Sequence, residues 1–209
     1  MIVAGTLLLK ALVAAAIFAG VAYLGVELSR VVAKYIQRPP EGITRTEPPL
    51  PWFLVGSAFF GAALALRGMD WMTLTMAAIV TVSLVGCWHS DVTYGKMPDA
   101  FTLVPIAAVS LSAIATQNWP LLSGVIVPFI PFGAMAYLSK GKGLGWDDAK
   151  FAALGGAILG MEGALLALAT AGVVAVSVAW LRRRTRDPIP FGPYMIGAVA
   201  LTLVCSFTP

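Results

Sequence analysis

Apolar residues run along this chain in long uninterrupted blocks, and polar residues gather in the gaps between them. The first block covers residues 2–24, is broken only by Lys10, and can continue as helix through Glu27 and Arg30 towards Tyr35. Pro39, Pro40, Pro48, Pro49 and Pro51 then stop any helix. Further blocks cover 50–66, 71–88, 100–116 and 119–138, and Pro120, Pro128 and Pro131 predict that the last of these is kinked. Residues 151–181 are apolar throughout, about 46 Å as one helix, which is too long for one membrane span and too short for two full ones. Gly160-Met161-Glu162-Gly163 is the only polar, glycine-flanked break in that stretch, so a tight turn is expected there between one short and one normal helix. A last block covers 191–207. The pattern predicts an all-α, polytopic transmembrane helix bundle of about eight spans.

Composition agrees with that reading. Hydrophobic residues make up 59% of the chain and charged residues 11%, and the mean hydropathy of +0.86 excludes a soluble globular protein. The first block is too long for a signal peptide and no small-x-small cleavage site follows it, so it reads as a retained span. The net charge of +4 does not point to nucleic acid. With eight spans, the basic residues between 30 and 45, Lys96, Lys140, Lys142, Lys150 and the arginines at 182–186 all fall on one side, against Arg67 opposite. Both termini are then extracytoplasmic, and the polar turns 87–102 and 141–151 are cytoplasmic. The lipid bilayer is the one partner that composition itself implies. Cys87 and Cys205 lie far apart with no second Cys or His at ligand spacing, so both read as packing residues and no metal or cofactor is expected.

Those two turns carry acidic residues, Asp91 in the first and Asp147 with Asp148 in the second. Taken singly, each is an ordinary polar residue at a span end, and Asp147 or Asp148 serves as the N-cap of the next helix. As a pair, Asp91 and Asp148 lie at equivalent depth on one side, where two carboxylates can converge on a water molecule. One, ionised, takes a proton from water while the other, protonated, polarises a scissile carbonyl. Two carboxylates about 4 Å apart at an effective dielectric near 20 repel by roughly 4 kcal/mol, about three pKa units, which keeps one protonated near neutral pH.

Three segments resemble those of the type IV prepilin peptidases, polytopic aspartyl proteases that trim pilin leaders. Asp91 with Pro98-Asp99 resembles the family's D-x6-P-D turn, Gly143-Leu-Gly145-Trp-Asp-Asp148-Ala-Lys150 its G-x-G-x-G-D-x-K turn, and Ile189-Pro-Phe-Gly192-Pro193-Tyr194 the I-P-F-G-P-[FY] that opens its last helix. The likeness runs from about residue 71 to the C-terminus. It implies a catalytic membrane domain over 71–209, preceded by N-terminal transmembrane helices over 1–70 with a cytoplasmic loop at about 30–51. It further implies Asp91 and Asp148 as the catalytic pair, with Pro98, Gly143, Gly145, Lys150, Gly192 and Pro193 shaping the turns. The implied activity is removal of leader peptides from type IV prepilin-like or pseudopilin membrane precursors, without a cofactor, at the cytoplasmic face of a bacterial inner membrane. Two departures stand out. Asp147 replaces the glycine that normally precedes the second aspartate, and the loop at 30–51 has none of the paired CxxC zinc motifs that accompany methyl transfer in bifunctional members.

The remaining polar residues read more plainly. Gly141, Gly143 and Gly145 make a flexible turn that also lets a substrate backbone approach. Lys150 snorkels to the interface, His89 is an interfacial polar residue, and Pro193 starts a helix. Three rival readings are a proton-coupled transporter, an inactive family member acting in assembly, and a protease of the presenilin type. The first places carboxylates at midplane and often shows repeated halves. The last requires a Pro-Ala-Leu tripeptide that the chain lacks.

Overall fold

Each apolar block forms a helix in the computed structural model, which describes residues 2–35, 46–140, 144–181 and 191–206. Among the described residues, seven helices follow in order: α1 (Ile2–Tyr35), α2 (Leu50–Leu66), α3 (Trp71–Tyr94), α4 (Asp99–Ala115), α5 (Trp119–Leu138), α6 (Trp146–Leu181) and α7 (Gly192–Ser206). Four of them, α1, α3, α5 and α6, are long and apolar enough to cross a membrane, and the other three are shorter apolar helices. The expectations for Pro39, Pro40, Arg38, Arg45, Gly141, Lys142, Gly143, the arginines at 182–186, Ile189 and Pro190 fall outside the described residues.

The chain divides into two compact units, one of residues 1–98 with 204–209 and one of residues 99–203. In the first, α1 packs along both α2 and α3. Ala11, Ala14, Phe18, Ala22 and Val26 recur at helical spacing on one buried face of α1, against Leu64, Ala65, Leu74, Ala77 and Ala78 at one level and Phe53 and Val85 at another. Phe18 lies so close over Gly61 that a Cβ there would meet its ring carbons at 2.5 Å. The opposite face of α1 leaves Leu8, Leu9, Leu12, Ile17 and Leu24 exposed, apolar surface of the kind a lipid environment covers. Asp70 caps α3 by accepting the Thr73 N–H at 2.8 Å, and Gly95, with φ +65°, ends it.

In the second unit α5 and α6 meet backbone to backbone. A Cβ on Gly156 would fall 1.7 Å from the Gly124 carbonyl oxygen, and Gly124 in turn lies against Gly156 and Gly160. Gly160 has φ +73° and ψ 177°, a conformation open essentially to glycine alone, and it breaks α6 where the tight turn was expected. Two helical stretches meet there at a kink. Gly155 lies against Val199 and Gly163 against Thr202, only three residues apart on α7, although a straight α6 would separate Gly155 from Gly163 by about 12 Å. Beyond the break, Thr170, Ala171 and Val174 line a cleft with Pro193, Tyr194 and Gly197 of α7.

Several expectations need correction. Cys205 is exposed and so does not serve as a packing residue, whereas Cys87 is fully buried. The helix α3 continues past residue 88 to Tyr94, because the chain needs Gly95 to leave the helix. The helix α6 starts at Trp146 and not at 151. Asp91 therefore sits in the last turn of a helix and Asp148 in the first turn of another, not in turns between them.

Candidate active site

The start of α6 is built by its own sequence. Gly145 precedes the first helical residue, and its N–H, one of the donors a helix start leaves without a partner, donates to Asp148 Oδ2 at 2.9 Å. This is the backward half of a capping box, with the carboxylate at the third helical position as the acceptor. It seats the Asp148 side chain over the first turn of α6. Asp147, about 100° round the helix, points elsewhere. Its Oδ1 accepts from Lys150 Nζ at 3.0 Å, and the same ammonium donates to Asp99 Oδ1 at 2.5 Å. Asp99 is the first residue of α4, so Lys150 ties the first turns of α4 and α6 together. The lysine side chain is 22% exposed and held between two carboxylates at these helix starts.

The start of α7 shares this end of the unit. Counting seven residues back from the contact between Gly155 and Val199 reaches Asp148 on α6 and Gly192 on α7, each about 10 Å along its helix. Gly192 and Pro193 are the first two residues of α7, and the Phe191 carbonyl accepts the N–H groups of Tyr194 and Met195 at 3.1 and 3.2 Å. The Phe191 ring stacks on Phe132 of α5, with centroids 6.5 Å apart. The three expected turn residues Lys150, Gly145 and Asp148 thus come together with Asp99 and Asp147. Gly143 lies outside the described residues.

Asp91 belongs to the other unit. It is half-buried in the last turn of α3, and its carbonyl accepts the Gly95 N–H at 2.9 Å. The seven-residue step from Asp91 to Pro98 now has a physical meaning. Gly95 ends α3 through its positive φ, and Pro98, which is buried, immediately precedes Asp99 at the start of α4.

A polar cluster in the same unit as Asp91 was not foreseen. His89 is fully buried, with Nδ1 sharing a hydrogen bond with Ser29 Oγ at 2.5 Å and Nε2 one with Glu47 Oε1 at 2.7 Å. Glu47 also accepts from Arg30 Nε at 2.8 Å, and Arg30 Nη1 pairs with Glu27. Phe53 and Tyr94 make T-shaped ring contacts with the imidazole. The cluster joins α1, the segment before α2, and α3 two residues short of Asp91. The Arg30 hydrogen bond is the largest influence on the Glu47 carboxyl and holds it below the usual carboxylate range, with His89 adding to the effect. Among the described residues, no group of three or more His, Cys, Asp and Glu side chains could hold a metal ion.

These features define a polytopic helical membrane protein with carboxylates in the terminal turns of its helices. Residues 77–180 match the type IV leader peptidase family, and the chain belongs to that family. The matched stretch contains Asp91, Pro98, Gly145, Asp148 and Lys150, and stops short of Gly192 and Pro193. The chain is similar to a prepilin leader peptidase/N-methyltransferase from Burkholderia pseudomallei strain 1026b and to its counterpart in strain K96243. Identity is 32% over 155 residues in both, covering 68% of this chain and 47% of each relative. The chain thus spans about half the length of the curated relatives it matches. No solved structure matches it.

Proposed function

We propose that this chain is an aspartic endopeptidase of the membrane that removes leader peptides from type IV prepilin-like or pseudopilin precursors, with Asp91 and Asp148 as its catalytic pair. The observation that carries this reading is the separation of two adjacent carboxylates. Asp147 is drawn into an ion pair with Lys150, whereas Asp148 is held by a backbone amide in the first turn of α6. Asp148, held over the first turn of α6 by the Gly145 N–H, acts as the base that takes a proton from water. Asp91 carries the proton that polarises the scissile carbonyl and then passes to the leaving amine.

The active face is cytoplasmic, in a bacterial inner membrane crossed eight times, a topology that the one-sided distribution of Lys and Arg supports. A short basic leader then stays in water near anionic headgroups while the helix that follows lies in lipid. Cleavage proceeds without methylation of the new N-terminus, because the only cysteines are Cys87 and Cys205 and neither lies in the loop at 30–51. Co-expression with candidate precursors, read as leader loss on a gel, tests the activity. Release of leaders from precursors that keep their hydrophobic helix is expected, and equal cleavage of soluble, unrelated peptides would overturn the reading.

A further inference from the structure

The aspartate that departs from the family's turn pattern, Asp147, is also the one that Lys150 holds. We infer that Lys150 is a positioning residue: by binding Asp147 and Asp99 together it draws the extra carboxylate away from the site, so that Asp148 alone serves the reaction. This inference rests on the function proposed above. The geometry carries it in three steps. Asp147 and Asp148 occupy successive positions at a helix start, close enough that an unbalanced charge on one weighs on the other. The Lys150 ammonium lies 3.0 Å from Asp147 and 2.5 Å from Asp99, so it restrains the Asp147 carboxylate and offsets its charge. At 22% and 28% exposed, the Lys150 and Asp147 side chains lie in a partly desolvated setting, where such a pair is screened less than at an open surface.

A lysine that merely strapped α6 to α4 would act through Asp99 and be indifferent to Asp147. A lysine that restrains Asp147 becomes dispensable once Asp147 is gone. That difference is measurable with purified protein in detergent and a prepilin-like precursor as substrate. Lys150→Met is expected to lower kcat about tenfold or more with KM changed less than threefold, and Lys150→Arg to restore most of the loss. Asp147→Gly alone should keep or raise activity, and the double variant Lys150→Met/Asp147→Gly should recover at least half of the logarithmic loss in kcat. Each variant's monodispersity is checked by gel filtration, and where Lys150→Met does not survive purification, Lys150→Gln with and without Asp147→Gly serves in its place. Wild-type activity in Lys150→Met, or a double variant no better than the single one, would overturn the inference while leaving the peptidase reading intact. If the wild type cleaves no precursor at all, both fall.

Discussion

The crossing of α5 and α6 at Gly124 and Gly156 can be tested with one methyl group. In Gly156→Ala the new Cβ would sit 1.7 Å from the Gly124 carbonyl oxygen, 2.7 Å from its carbonyl carbon and 3.1 Å from Pro128 Cγ. The first of these falls 1.3 Å short of the 3.0 Å that real Cβ contacts keep. The obstacle is helix backbone, which cannot rotate aside as a side chain can, so the two helices must part by about that distance. Overpacking of this kind costs about 1–3 kcal/mol, and the better helix propensity of Ala offsets about 1 kcal/mol of it. Separating the helices also forfeits contacts along the crossing, so a net loss of about 2 kcal/mol is expected. Gly197→Ala in α7 is the control, since a Cβ there meets nothing within 4 Å and should be neutral or stabilising by up to about 1 kcal/mol. Both variants can be compared by SDS-titrated unfolding of the purified protein in one detergent. Because the first half of α6 carries Asp148, Gly156→Ala should also lower cleavage. If the two alanine variants unfold together with the wild type, the helices do not meet as described.

Other consequences can be checked more briefly. The depressed Glu47 carboxyl contributes stability that is fully present above the ordinary Glu value of about 4.3 and is lost as pH falls through the lower folded value. Thermal stability between pH 6 and 3 should therefore decline on the acid side in the wild type and decline less in Glu47→Gln, and parallel curves would contradict this. Reporter fusions after Gly141 and after Arg186 should both report cytoplasm; opposite locations would rule out eight spans. Mass spectrometry of the processed precursor, made in a host with no other prepilin peptidase, should find a free, unmethylated N-terminus.

Much of the helical frame was legible because lipid-length apolar blocks leave few alternatives, and because the break at Gly160 needs a residue that tolerates φ +73°. Helix ends were less legible. Asp91 and Asp148 read as turn residues because carboxylates and glycines mark turns, yet Gly95 and Gly145 each lie just outside the helix that keeps the aspartate inside it. The capping box was in principle readable, since Gly145 and Asp148 stand three residues apart. Lys150 to Asp147 is equally local, but its bond to Asp99 spans 51 residues and depends on how α4 meets α6. The His89 cluster was invisible for the same reason. Its partners Ser29 and Glu47 lie 60 and 42 residues away, and nothing in their local sequence marks them as a set.

The central claim, that Asp91 and Asp148 perform the cleavage and Asp147 does not, is tested most directly by three asparagine variants in one leader-cleavage assay. Asparagine keeps the size and removes the titrating carboxyl, so insertion in the membrane should be unchanged in all three. The account predicts that Asp91→Asn and Asp148→Asn each abolish leader removal while Asp147→Asn retains it. Activity in Asp148→Asn together with its loss in Asp147→Asn would move the catalytic position by one residue, and undiminished cleavage in all three would contradict the aspartyl mechanism itself.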